Sequence, residues 1–160
     1  MELLRGGLLF LVCLLLCFAP GIIGGRFGPG EWYSHSAKSS LTPPGWVFPI
    51  AWSILYLLMA IALFLLWRRT GLAGAPVALA IFLAQLVLNG LWSWLFFGQH
   101  RPLAALADLA LLWVLILLSV VLFWRHRPAA GALLLPYLVW VSFAAFLNYQ
   151  FWLLNRVGGA

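Results

Sequence analysis

Residues 30–52 read GEWYSHSAKSSLTPPGWVFPIAW, and the rest of the chain is best understood outward from them. The stretch holds Trp32, Trp46 and Trp52, with Tyr33, Phe48 and the pair Pro43-Pro44, and also Glu31, His35 and Lys38. Strongly apolar runs lie on both sides. Its Gly, Pro and Ser content marks a connection between elements. A connection of about twenty residues in so small a protein is usually functional or disordered, and the aromatics argue against disorder.

The composition says what lies to either side. Of 160 residues, 66% are hydrophobic and 8% charged, with a mean hydropathy of +1.08. A soluble domain carries about 25% charged residues, so this chain has too little polar surface to cover itself in water. It reads as an all-α integral membrane protein with a single domain over 1–160. The formal charge of +6 comes from nine Lys/Arg against three Asp/Glu. The basic residues are scattered at the ends of apolar runs, which points to topology and lipid headgroups and away from nucleic acid. Cys13 and Cys17, four apart in one apolar run, share a helix face and read as small buried side chains.

Five segments are long and apolar enough to span a bilayer, at about 7–25, 46–67, 75–97, 103–124 and 132–154. Three connections are short, so neighbours are expected as antiparallel hairpins. The first segment, MELLRGGLLFLVCLLLCFAPG, has the charge and apolar core of a signal peptide but no clean small-x-small cleavage site, so a retained span is expected. Five spans put the termini on opposite sides of the membrane. Five basic residues on one side against four on the other leave the orientation open.

Polar groups inside spans are costly and face the bundle interior. Gln85, Asn89, Trp92 and Phe96 share one face of the third span. Asn89 suits either interhelical hydrogen bonding, the favoured role, or the polar edge of a ligand. Phe48, Trp52 and Tyr56 form a stripe on the second span; Tyr137, Trp140, Ala144 and Asn148 form one on the fifth. Trp67, Trp124 and Trp152, near span ends, read as interfacial belt residues. Asp108, the one carboxylate inside a span, is expected to reach the interface or to have a structural partner. His35, His100 and His126 lack second ligands at metal-site spacing, so no metal is expected. No nucleophile–base pair, phosphate loop or paired carboxylates form a recognisable motif. Ala80 with Ala84, and Gly21 with Gly25, are small-xxx-small pairs suited to close helix approach, within one bundle or between two copies.

Trp32-Tyr33, Lys38, Pro43-Pro44, Trp46, Phe48-Pro49, Trp52 and Tyr56 resemble the first-loop and second-helix signature of the TspO/MBR family, the tryptophan-rich sensory proteins related to the mitochondrial translocator protein. The likeness continues through Gln85-Leu86-x-x-Asn89-x-x-Trp92 with Phe96-Phe97, Pro136-Tyr137-Leu138-x-Trp140, Leu147-Asn148 and Leu154-Asn155. It covers nearly all of the chain.

The resemblance implies a five-helix bundle in a bacterial membrane, a homodimer, and a pocket beneath the first loop for porphyrin, haem and similar flat ligands. No cofactor is required; tetrapyrrole is the expected ligand, with membrane lipid and sterol-like molecules as further partners. Carried over, the pocket would use Trp32, Tyr33, Trp52, Tyr56, Asn89, Trp92, Trp140, Phe143 and Ala144, with residues 26–45 as a lid. Trp32 and Trp140 would serve any porphyrin photochemistry. Receptor or sensor is the leading expectation; a light-dependent porphyrin-degrading enzyme and a porphyrin or sterol carrier are the alternatives. The chain departs from the family pattern at Ser36, Ser39 and Leu41, which makes a less apolar lid and implies a less rigid one. A sterol pattern of the Leu-x-Tyr-x-Arg type is incomplete, since Arg156 lies too far beyond Leu147 and Tyr149.

Overall fold

The computed structural model describes residues 2–71 and 73–156; Met1, Leu72 and residues 157–160, all inside the expected single domain, lie outside it. The elements are α1 (Glu2–Gly24), α2 (Glu31–His35), α3 (Val47–Thr70), α4 (Pro76–Ser93), α5 (Pro102–His126), α6 (Pro128–Ala132) and α7 (Leu135–Asn155). α4 continues directly into a π-helical turn, Trp94–Gly98. Among the described residues, five stretches are long and apolar enough to cross a membrane, and the chain is a multi-pass integral membrane protein.

Prolines set the helix starts. Pro76, Pro102 and Pro128 each open a helix, where a missing N–H is no loss. Gly71 closes α3 at φ 71°, the left-handed region that glycine enters without strain. The fifth span differs from the continuous 132–154 expected: a turn at Leu133-Leu134 separates α6 from α7. Pro136, just inside α7, has no N–H to carry the α6 ladder onward.

α1 packs on α3 and α4, α4 on α5, and α5 on α6 and α7; α6 reaches back to α3. Cys13 and Cys17 are fully buried in the α1 contact. Close approach there uses glycine: a Cβ on Gly21 would lie 2.5 Å from Cε2 of Tyr56. Gly21 therefore serves the bundle itself, whereas Gly25, Ala80 and Ala84 are exposed.

One expectation about a polar group is corrected. Asp108 does not reach the interface. It is 8% exposed on the face of α5 that also buries Ala105, Leu109 and Leu112, and neither carboxylate oxygen has a hydrogen-bond partner among the described residues. Trp67, one turn before the end of α3 at Thr70, packs against the core, and its buried Nε1 has no hydrogen-bond partner among the described residues. Trp124 is 46% exposed.

Candidate functional site

α1, α3, α4 and α7 diverge towards the end that carries residues 26–45, and a cavity of about 690 Å³ fills the space between them. Phe18 to Gly25 form the α1 wall, Phe48 to Tyr56 the α3 wall, Asn89 to Phe97 the α4 wall and Ala144 to Phe151 the α7 wall. Tyr33, Lys38, Ser39, Thr42 and Pro43 close it from the lid. α5 stays behind this chamber. It reaches only a second void of about 30 Å³, which lies between Trp140, Leu109 and Leu112 and shares Phe48, Trp52, Asn89, Trp92 and Ala144 with the main cavity.

The deep wall is held by a run of buried hydrogen bonds that crosses from helix to helix. Tyr56 Oη donates to Asn89 Oδ1 at 2.8 Å, Asn89 Nδ2 donates to Tyr137 Oη at 2.8 Å, and Tyr137 Oη donates to Gln85 Oε1 at 2.9 Å. Trp92 Nε1 donates to Asn148 Oδ1 at 3.0 Å, and Asn148 Nδ2 donates to the carbonyl of Pro102 at 2.7 Å. Apolar helices in lipid gain little from burying one another, so such bonds select their register. Asn89 and Asn148 thus tie helices together while also lining the cavity.

The π-helical turn shapes the α4 wall. Gln99 N–H reaches back five residues to Trp94 O at 2.8 Å. The extra residue in the turn shifts the helical register, so that Trp92, Phe96 and the adjacent Phe97 all reach the cavity. π-turns of this kind gather at functional sites.

The lid is a docked structure. Its short helix α2 sets Trp32 and Tyr33 on an aromatic floor. Trp32 stacks on His100 at 4.5 Å between centroids and packs on Phe96 and Phe151; Tyr33 stacks on Phe151 at 5.6 Å and meets Phe97 edge-on at 5.4 Å. Burial pushes the Tyr33 phenol above its ordinary pKa, so it is a neutral donor near pH 7. Just beyond α2, Asn155 holds the backbone of Ala37 through both its N–H and its carbonyl. Its Oδ1 accepts from Ala37 N–H at 3.0 Å and its Nδ2 donates to Ala37 O at 2.9 Å. Two of the departing residues bond locally within the lid: Ser36 Oγ donates to Trp32 O at 2.7 Å, and Ser39 Oγ accepts from Leu41 N–H at 3.3 Å.

Comparison with known proteins agrees in extent with this architecture. The TspO/MBR family model matches residues 13–153. The chain is 40% identical over 151 residues to Protein CrtK of Rhodobacter capsulatus, covering 92% of each. It is 41% identical to Tryptophan-rich protein TspO of Chlorobaculum tepidum, covering 90% of this chain and 94% of the relative. It is also 37% identical to the Translocator protein of Homo sapiens, covering 81% and 80%. The chain belongs to the TspO/MBR family.

Within this TspO/MBR fold the nine residues anticipated for the pocket fall into two groups. Tyr33, Trp52, Tyr56, Asn89, Trp92 and Ala144 line the main cavity together. Trp32, Trp140 and Phe143 are absent from its lining. Trp32 lies in the lid's aromatic floor beside Phe96 and Phe151. Trp140 sits one layer back on the small void, its Nε1 buried without a partner among the described residues. Phe143 packs on Trp140 with centroids 5.9 Å apart. Sequence reasoning missed the whole α1 wall, and with it Phe18, and also missed Phe27 at the start of the lid. It also missed Lys38 as a lining residue and the far wall at Phe151. The glycines near the end of α1 were a usable signal, since a helix that thins there either approaches a neighbour or makes room.

Proposed function

We propose that this protein is a membrane receptor that holds a tetrapyrrole, such as porphyrin or haem, in the cavity beneath its lid. One observation carries the reading: a lidded chamber of about 690 Å³, walled by Trp52, Tyr56, Trp92, Phe96 and Phe97, with few polar groups at its edges. A chamber of this size and lining suits a flat ligand with apolar faces and a few polar termini. Family membership supports the receptor role at the coarser level, and the tetrapyrrole assignment is the finer step. Handling of porphyrin or a response to stress would then follow from ligand-dependent change in the lid.

The test is a protoporphyrin titration of the purified protein in detergent, read by quenching of tryptophan fluorescence, in the dark and under illumination. Saturable quenching in the dark, weakened at least several-fold by Trp52→Ala, is the expected result. No saturable quenching would refute the assignment. New absorbing products formed only under light, and abolished by Trp32→Phe or Trp140→Phe, would shift the reading to a light-dependent enzyme.

A further inference from the structure

Helices commonly close on one left-handed residue, and glycine fills that position because an L side chain crowds the backbone there. Where α4 closes through its π-turn, the left-handed residue is His100, at φ 53°. Among the described residues no other non-glycine residue has a positive φ. Two backward bonds flank it and hold the backbone in that shape. Gln99 N–H donates to Trp94 O at 2.8 Å, and Arg101 N–H donates to Leu95 O at 3.0 Å. Histidine tolerates this region better than a branched residue does, but not as freely as glycine. A contact from outside the turn has to offset the difference.

The lid provides that contact, and it meets the turn along its length. Phe27, at the start of the lid, lies so close to Gly98 that a Cβ there would sit 3.1 Å from its Cδ1. Trp32 meets Phe96 edge-on at 5.8 Å, and Tyr33 meets Phe97 in the same way at 5.4 Å. The imidazole of His100 lies nearly flat on the Trp32 indole, with 4.5 Å between centroids and 20° between planes. A conformation that glycine would hold by itself is held here by an aromatic stack on the lid.

The turn has an alternative state. If His100 relaxes to the right-handed region, the backward bonds of Gln99 and Arg101 break, and the extra residue of the π-turn can pass into an ordinary α-helical ladder. Each residue absorbed in this way rotates the side chains that follow by about 100°. Phe97 would then leave the cavity wall. We infer that the lid and the π-turn open together: the Trp32–His100 stack keeps the turn closed, so lifting the lid also releases the α4 wall of the cavity. Coupling of this kind requires an element with two discrete arrangements, and a turn poised between π and α is one. It does not depend on which ligand the cavity takes.

The experiment is hydrogen exchange, followed by mass spectrometry on the full chain in detergent, for wild type, Trp32→Ala, His100→Gly and the double variant. The lid, the amides of Gln99 and Arg101, and α5 as reference are read separately. Trp32→Ala should speed exchange in the lid and, by roughly fivefold or more, at Gln99 and Arg101, while α5 is unchanged. His100→Gly should speed exchange in the lid alone, because glycine holds the left-handed position without the stack. Adding Trp32→Ala to His100→Gly should leave Gln99 and Arg101 as protected as before. Full protection of Gln99 and Arg101 in Trp32→Ala would overturn the coupling. An equal loss there with and without His100→Gly would also overturn it, by tracing the effect to packing on Phe96. If Trp32→Ala loosens α5 as well, Trp32→Leu takes its place and the same two comparisons decide.

Discussion

Asn89 shows how one side chain serves both stability and site. Its amide spends its acceptor on Tyr56 and a donor on Tyr137, and through Tyr137 it is coupled to Gln85. Asn89→Leu would leave the hydroxyls of Tyr56 and Tyr137 each short of a buried partner, at about 1–3 kcal/mol apiece if nothing else fills the gap. The expected outcome is a clearly lowered thermal midpoint in detergent. Tyr137→Phe, which removes donor and acceptor together, should also lower it. An unchanged midpoint in both would mean that the network contributes nothing to packing. Tyr33 makes a pH prediction. Its phenol titrates higher in the folded protein than the ordinary value of 10.0 because burial penalises the phenolate. The folded state therefore prefers the neutral form. Its contribution to lid docking is complete below pH 10, and is lost as pH rises through the raised value. Hydrogen exchange of lid amides, corrected for intrinsic rate, should show flat protection near neutrality and a fall only in strong alkali. A Tyr33→Phe variant should lose that alkaline step.

At the scale of elements, the lid and the π-turn act as a pair. The turn gathers Phe96 and Phe97 towards the cavity, and Trp32 and Tyr33 rest on them. Asn155 then clamps the lid at Ala37, one residue before Lys38. Asn155→Leu removes both bonds without touching the cavity lining. Faster hydrogen exchange confined to residues near Ala37, with faster ligand release and unchanged helix protection, is expected. Uniform loss of protection along α7 would show instead that Asn155 supports the helix end, to which it also donates through Phe151 O at 2.7 Å.

For the whole molecule, the decisive feature is that four spans part at one end while α5 remains packed behind them. Gly21 sets part of that spacing. A methyl there would meet the Tyr56 ring at 2.5 Å, so Tyr56 must move and its bond to Asn89 must stretch. Gly21→Ala should lower both thermal stability and porphyrin affinity, whereas the outward-facing Ala80→Ser should change neither. Equal effects from the two would separate the α1 contact from the cavity. Ala80 and Ala84 face outward; if copies of the chain meet through this small-residue pair, Ala84→Phe should shift the dimer towards monomer in cross-linking without loss of ligand binding.

What was legible in the chain follows from local chemistry. Apolar runs of about 20 residues, with prolines at Pro76, Pro102 and Pro128, are enough to mark spans and starts, because lipid forces every backbone polar group into a helix. Spacings of four and of three brought Trp52 with Tyr56 and Asn89 with Trp92 onto shared faces, and these four do line the cavity. Other features depend on which faces meet, and spacing within a helix is silent about that. Sequence alone could not show that α1 forms a wall, that Trp140 stands one layer back, that Asp108 is enclosed without a partner, or that Asn155 reaches a peptide 118 residues away. Helix formation is decided within a few turns of chain. The cavity is decided by the order in which helices pack and by the small residues that let them approach or keep them apart, and only the tertiary structure contains that order.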